Sequence, residues 1–218
     1  MNGTFATNAA LLHAVSAGES GGASIAVCVP FPYLAQTQAA LSGKAVGYGA
    51  QDVSQHSSGA YTGQVSAAML QDFGATLALV GHSERRQYNH ETDEEVAAKA
   101  SALVAAGMTA VICVGETLAE REAGNAEKVV SRQLAACAGV ISGAPAGKIV
   151  VAYEPVWAIG TGKTATAAEA QAMHAFIRGD MRRFGARSDA ISILYGGSVK
   201  AGNAAELFAQ SDIDGGLI

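Results

Sequence analysis

Two titratable side chains stand where apolar segments of the sequence end. Glu154 closes the segment KIVVAYE (148–154), and His82 closes the segment TLALVGH (76–82). An unpaired carboxylate is costly to bury, so a glutamate at this point must be paired or used. A carboxylate shielded from water suits a general base, and a neutral imidazole can polarise a carbonyl by donating a hydrogen bond. If both groups face one cavity, they suit abstraction of a proton next to a carbonyl. His82 taken alone also fits a structural histidine that caps a strand.

Glycine-rich loops follow two of these segments. Gly160 and Gly162 come after Glu154, and Gly196 and Gly197 follow the segment ISILY. Backbone N–H groups in such loops can bind an oxyanion, although each glycine pair alone also fits a tight turn. Loops late in a barrel chain commonly bind phosphate. Neither loop has the spacing of a Walker loop or of GxGxxG, so nucleotide binding is not indicated.

The segments that end in these residues belong to a series of continuous apolar strands. The predicted strands cover 24–30, 45–51, 76–82, 109–115, 148–154, 191–197 and 213–218. Strands without polar alternation are typical of a parallel sheet that is covered on both faces. Amphipathic helices lie between them, and Thr-x-x-Glu capping boxes begin three helices, at Thr92, Thr117 and Thr166. This alternation fits an open doubly wound sheet or an eight-stranded barrel.

The number of strands favours an incomplete barrel. A helical stretch over about 5–17 precedes the first of the seven predicted strands. A (β/α)8 barrel typically takes about 250 residues, and the shortfall is about one strand upstream and one helix downstream. We therefore predict a single TIM-barrel domain over 1–218, with the first strand and the last helix missing.

Composition excludes several classes of protein. The chain has 218 residues, half of them hydrophobic, and a net charge of −5, which gives no electrostatic footprint for nucleic acid or an anionic membrane. No apolar run reaches the ~18 residues of a membrane span. The sequence shows no signal peptide and no CxxC pair among its three cysteines. We expect a cytoplasmic protein that binds neither nucleic acid nor membranes.

Several motifs together resemble the triosephosphate isomerase family. These are GHSERR (81–86), AYEPVWAIGTGKTAT (152–166), YGGSV (195–199), GAYTG (59–63) and the opening MNG. They occur in order along the whole chain. The resemblance implies a glycolytic and gluconeogenic enzyme that interconverts dihydroxyacetone phosphate and D-glyceraldehyde 3-phosphate through an enediolate. It also implies a triose phosphate as the small-molecule partner, a homodimer, and no metal or organic cofactor.

The resemblance further implies a role for individual residues. Glu154 is the base and His82 the neutral imidazole that polarises the carbonyl, a pair for which this family is itself a standard example. The main-chain N–H groups of Gly160 and Ser198 bind the phosphate, and Tyr195 with Ser198 holds the closed lid. The lid comprises Pro155, Val156, Trp157, Ala158, Ile159, Gly160, Thr161, Gly162 and Lys163. Three further residues have supporting roles by the same resemblance. Glu116 packs near Trp157, and Glu84 is an acidic residue that supports the catalytic residues without contacting substrate. Thr62 inserts into a neighbouring subunit.

The ends of the sequence depart from the family pattern. The family carries Asn-Trp-Lys directly before Met-Asn-Gly, where the lysine offsets substrate charge and the asparagine positions substrate. In the family, the position of Ile218, the last residue here, is followed by a Gly-Gly pair that supplies further phosphate donors. We therefore expect an active isomerase in the parent protein, and expect these 218 residues alone to be unstable and nearly inactive. The alternative to an active isomerase is a catalytically impaired barrel that binds phosphate but lacks the substrate-binding asparagine and lysine. A pentose-phosphate epimerase would need His and Asp metal ligands at strand ends, where the sequence offers only His82.

Overall fold

Seven parallel strands form one sheet in the computed structural model, which describes residues 2–18, 20–158, 165–185 and 187–218. The strands are β1 (Ala26–Val29), β2 (Gly47–Ala50), β3 (Leu77–Val80), β4 (Thr109–Val114), β5 (Ile149–Tyr153), β6 (Ser192–Tyr195) and β7 (Gly215–Gly216). Each pairs in parallel with the next, so their order in the sheet is their order in the chain. A doubly wound sheet would reverse direction partway. The prediction of an incomplete (β/α)8 barrel is therefore confirmed, with seven of eight strands among the described residues.

Helices connect the strands. They are α1 (Phe5–Ala17), α2 (Leu34–Leu41), α3 (Ala67–Asp72), α4 (Ser83–Tyr88), α5 (Asp93–Ala105), α6 (Leu118–Glu122), α7 (Ala126–Ala136), α8 (Ala138–Gly143), α9 (Ala167–Arg183) and α10 (Ala204–Phe208). The capping boxes predicted at Thr92, Thr117 and Thr166 all form. Within the described part of the chain, no helix is long and apolar enough to cross a membrane.

One predicted helix is divided into two. The apolar stripe Val130, Leu134, Cys137 and Ile141 predicts a single helix, but α7 ends before Cys137 and α8 begins after it. The N–H of Cys137 bonds the carbonyl of Leu134, three residues back, at 3.0 Å. This tightened turn interrupts the helical ladder, yet all four side chains remain buried.

Both faces of the central strands are buried, as the unbroken apolar runs predict. Ile112 of β4 faces the helices and joins the large cluster that includes Val96 and Leu134. Its neighbour Cys113 faces the other way and packs with Leu79 and the β5 residue Ala152 in a smaller cluster. Strands β3, β4 and β5 are thereby fixed on both sides, and their carboxyl ends form a rigid edge.

A buried arginine ties α9 to the last strands of the sheet. Arg178 is 8 % exposed. Its Nε donates to Asp212 Oδ1 at 2.8 Å and its Nη2 donates to Asp214 Oδ2 at 2.7 Å. Its Nη1 donates to the carbonyl of Ser188 at 2.8 Å. Removing the guanidinium would take one donor from each of these two carboxylates and from the carbonyl of Ser188.

We expect Arg178→Leu to lower the free energy of unfolding by about 2–3 kcal/mol, because the buried guanidinium loses hydrogen bonds to two carboxylates and to backbone carbonyls. Arg182→Leu on the same helix is the control. Arg182 and its partner Asp189 are largely exposed, so its loss should cost less than about 1 kcal/mol. Urea denaturation measures both values, and equal costs would contradict the structural role of the Arg178 network.

Candidate active site

The side chains of Glu154 and His82 meet at the carboxyl edge of the sheet. Glu154 directly follows β5, and His82 lies between β3 and α4. The imidazole Nε2 of His82 lies 2.7 Å from Oε1 of Glu154. The N–H of Ser83 donates to Oε2 at 2.9 Å, and the Ser83 hydroxyl lies 3.4 Å from Oε1. Glu154 is 2 % exposed, so this buried carboxylate has the partners that its burial requires.

The backbone of α4 sets the tautomer of His82. Its Nδ1 accepts the N–H of Glu84 at 3.3 Å, so in the neutral ring the proton sits on Nε2, facing Glu154. Burial alone would lower the pKa of His82. The hydrogen bond and negative charge of Glu154, with a smaller contribution from Glu84, outweigh burial and raise the pKa of His82 above its ordinary value.

This raised pKa has a defined effect on stability. The His82–Glu154 contact contributes its full stabilisation below the ordinary histidine pKa of about 6.5. That contribution is lost as pH rises through the higher folded-state pKa.

We expect Glu154→Gln to lower the pKa of His82, because the charge that raises it is removed while burial remains. An NMR titration of the histidine Cε1–H signals measures the shift, with the His82 signal assigned from a His82→Gln variant. Glu84→Gln provides the comparison and should lower the pKa by a smaller amount, since Glu84 is the weaker cause. A pKa of His82 that rises or stays constant in Glu154→Gln would refute this account.

The backbone at the end of β4 supports Glu154 from the side. The N–H of Glu154 donates to the carbonyl of Val114 at 2.7 Å. The next residue, Gly115, lies so close that a methyl group on it would stand 1.8 Å from the carbonyl oxygen of Glu154. Only glycine allows this approach, so the residue type at 115 sets the spacing between the two chain segments.

We expect Gly115→Ala to destabilise the fold by roughly 2–3 kcal/mol, since the added methyl group meets main chain that cannot move aside. Gly139→Ala is the control, because its methyl group on α8 would meet open space. That change should be neutral or stabilising by up to about 1 kcal/mol. Thermal or urea unfolding measures both, and a harmless alanine at 115 would show that the close approach is not required.

A second buried carboxylate binds the segment after Glu154. Glu116 is fully buried, and its Oε1 accepts the indole N–H of Trp157 at 2.9 Å. The hydroxyl of Tyr153 lies 3.1 Å from both carboxylate oxygens. Burial, followed by the charge of Glu116, raises the pKa of Tyr153 well above its ordinary value, so the phenol remains a donor. The guanidinium of Arg121 lies 4.4 Å from the centre of the Trp157 ring.

The loop after β6 packs against the same segment. A methyl group on Gly197 would lie 2.9 Å from Cγ of Pro155, and one on Gly196 would lie 3.0 Å from Cγ of Glu154. Ser198 is half-buried in this loop, where its carbonyl accepts from Asn203 at 3.1 Å. Tyr195 is fully buried at the end of β6, and burial raises the pKa of its phenol. The two glycines thus bring the loop of Ser198 against Glu154 and Pro155.

The remaining predicted site residues have other positions. Glu84 is the second residue of α4 and has an exposed side chain, and its Oε2 lies 3.8 Å from Nδ1 of His82. Thr62 is exposed on the loop between β2 and α3. Val156 and Ala158 belong to a short 3-10 turn with Trp157. Ile159, Gly160, Thr161, Gly162 and Lys163 lie outside the described residues. In the part of the chain that is described, no cluster of three His, Cys, Asp or Glu residues could hold a metal.

Two residues at the site were not predicted from the sequence. Ser83 bonds the carboxylate of Glu154, and its position directly after His82 in GHSERR was the available signal. Gln133 of α7 bonds the backbone of Gly115, and a polar residue within the apolar stripe of a helix was the only hint. A cavity of about 650 Å³ borders this region, lined among others by Ser83, Gly115, Gln133, Glu154 and Trp157.

The fold and the site together define a barrel enzyme of acid–base type, with a carboxylate and an imidazole at the carboxyl edge of a parallel sheet. A family model described as triosephosphate isomerase matches residues 1–218. The chain is 60 % identical to the triosephosphate isomerase of Delftia acidovorans over 220 residues, covering all of this chain and 88 % of the relative. It is 59 % identical to that of Cupriavidus pinatubonensis over 219 residues, with 100 % and 89 % covered. For Thiobacillus denitrificans the figures are 58 % over 219 residues, with 100 % and 88 % covered. The chain belongs to the triosephosphate isomerase family.

Proposed function

We propose that the protein to which this chain belongs interconverts dihydroxyacetone phosphate and D-glyceraldehyde 3-phosphate through an enediolate, as a glycolytic isomerase. The observation that carries the proposal is the contact of 2.7 Å between Glu154 Oε1 and His82 Nε2 at the carboxyl edge of the sheet. Family membership over the whole chain supports it. The residue roles below are part of the proposal.

The reaction needs one base and one hydrogen-bond donor. Glu154 removes a proton from the carbon next to the substrate carbonyl, and the electron pair of that bond moves toward the carbonyl oxygen. His82 donates its Nε2–H to this oxygen and stabilises the enediolate. Glu154 then returns the proton to the neighbouring carbon. The hydroxyl proton passes from one substrate oxygen to the other through Nε2 of His82, so no atom is gained or lost.

The carboxylate must leave its present partners to act. Both oxygens of Glu154 are engaged, one with His82 and the other with the N–H of Ser83. When Glu154 moves to the substrate, the main cause that raises the pKa of His82 moves with it. Burial, which lowers that pKa, then favours the neutral imidazole that the donor role requires. The motion of the base and the protonation of its partner are therefore coupled.

The phosphate and lid roles follow from the same arrangement. We infer that main-chain N–H groups of Ser198 and Gly160 bind the phosphate, and that residues 155–163 close over the substrate, held by Tyr195. Support comes from the described beginning of this segment, where Pro155 packs on Gly197 and Trp157 bonds Glu116.

We further infer a homodimer in the cytoplasm. The loop of Thr62 is exposed, with Tyr61 42 % exposed beside it and Met69 53 % exposed on the next helix. Apolar side chains exposed on a projecting loop and on the next helix suit an interface with a second copy. All three cysteines are free, which fits a reducing compartment.

Substitution of the base tests the function. In the complete protein that contains this chain, Glu154→Gln should lower kcat for D-glyceraldehyde 3-phosphate by at least about 100-fold, because a general base contributes roughly 10²–10⁴ in rate. A coupled assay of dihydroxyacetone phosphate measures the rate. Glu122→Gln, an exposed glutamate on α6, serves as the control and should leave the rate unchanged. Turnover that survives Glu154→Gln would disprove the mechanism, whereas a pure binding module would show no turnover in any variant.

A further inference from the structure

We propose that Gln133 is a positioning residue for this reaction. Its side-chain amide fixes the peptide of Gly115, and the backbone of the base Glu154 rests on that peptide. The inference builds on the proposed function, because it assigns Gln133 a part in placing the proposed base.

The side-chain amide of Gln133 makes two hydrogen bonds to the backbone of one residue, Gly115. Its Oε1 accepts the N–H of Gly115 at 2.8 Å, and its Nε2 donates to the carbonyl of Gly115 at 3.1 Å. The N–H of Gly115 requires an acceptor, so the orientation of the amide is fixed by its partner. Gln133 is 4 % exposed, so its amide depends mainly on these two bonds for its hydrogen-bonding partners. Gly115 therefore cannot rotate its backbone without breaking at least one of these two bonds.

Gly115 in turn lies at the centre of a backbone support for Glu154. On one side of Gly115, the carbonyl of Val114 accepts the N–H of Glu154 at 2.7 Å. On the other side, the carbonyl of Glu116 accepts the N–H of Val156 at 3.2 Å. Between these two bonds, the α-carbon of Gly115 packs directly on the carbonyl of Glu154. A shift of the Gly115 peptide would move the main chain that carries the base.

Helix α7 is a firm support for the amide. Val130 and Leu134, on either side of Gln133 in the sequence, are fully buried in the main core cluster. Because α7 is held in place by the core, the Gln133 amide holds Gly115 in place as well. Without this restraint, a glycine has more backbone freedom than any other residue.

Accurate placement matters because the enediolate has a competing fate. Its electrons can expel the ester oxygen as inorganic phosphate, breaking the C–O bond and leaving an enol that ketonises to methylglyoxal. Prompt return of the proton by Glu154 prevents this loss. Displacement of a catalytic group by about 1 Å can cost about 100-fold in rate, so a misplaced base would slow the proton return and favour phosphate loss.

The test is Gln133→Met in the complete protein, because methionine has a similar length but lacks both polar groups. We expect kcat to fall about 10-fold or more while KM changes little. We also expect the phosphate released per isomerisation turnover to rise several-fold. Once the phosphate released without enzyme is subtracted, this ratio is independent of how much of the sample is folded, so a merely structural role would not change it.

Gln71→Met is the matched control. Gln71 also lies on a helix, α3, and donates its Nε2–H to a backbone carbonyl, that of Ala106, at 2.7 Å. Its loss should leave the phosphate ratio at the parent value. If Gln133→Met does not fold, Gln133→Glu replaces it, since one oxygen of the introduced carboxylate keeps the acceptor for the N–H of Gly115 while the second oxygen faces the Gly115 carbonyl.

The outcomes separate the two proposals. A parent protein that does not isomerise triose phosphates disproves the proposed function. A parent that isomerises, with a Gln133 variant whose phosphate ratio equals that of the parent, disproves the positioning role. A rise of the same size in Gln71→Met also disproves it. A rise confined to the Gln133 variant supports it.

Discussion

The burial of one carboxylate constrains the architecture around it. Glu154 has almost no contact with water, so its charge must be met by donors that the fold supplies. His82 and the N–H of Ser83 provide them from the loop after β3. That loop can reach Glu154 because β3 and β5 are separated only by β4. A glycine directly follows the strand between them, so the chain there does not obstruct the contact and instead supports the main chain of the acid. The strand order, the position of Gly115 and the donors from the β3 loop together allow the carboxylate of Glu154 to be buried.

The two buried acids at this edge differ in the kind of partner they have. Glu116 is bound by a phenol and an indole, which remain donors over the ordinary pH range. Its environment is therefore fixed, and it stabilises the turn that follows Glu154. Glu154 is bound by an imidazole, whose proton affinity depends on where the acid is. Glu116 and Glu154 are therefore buried to a similar extent but differ in behaviour. The partners of Glu116 do not titrate near neutral pH, so it is a fixed structural contact, whereas the His82 partner of Glu154 does titrate there, so that contact changes with protonation.

Local features of the sequence predicted most of the fold. The apolar strands and the three capping boxes depend on residues close in sequence, and all of them formed where expected. The division of α7 from α8 at Cys137 was not predicted, because the apolar stripe continues without interruption through the break. At the site, Glu154 and His82 were identifiable because a titratable residue at the end of an apolar run is conspicuous. The contact of Gln133 with Gly115 joins residues 18 positions apart. A polar residue on the buried face of a helix hints that it has a partner, but nothing local in the sequence says which residue that partner is.

Trp157 gives this site an optical property. It is the only tryptophan in the sequence, and it lies in the turn that directly follows Glu154. Its indole N–H is bound to a carboxylate and its ring lies against a guanidinium, and both charges influence indole emission. The tryptophan fluorescence of the molecule therefore originates at the beginning of the segment that follows the acid. Any rearrangement of this segment would change the wavelength or the intensity of the Trp157 emission, so no added label is needed to detect it.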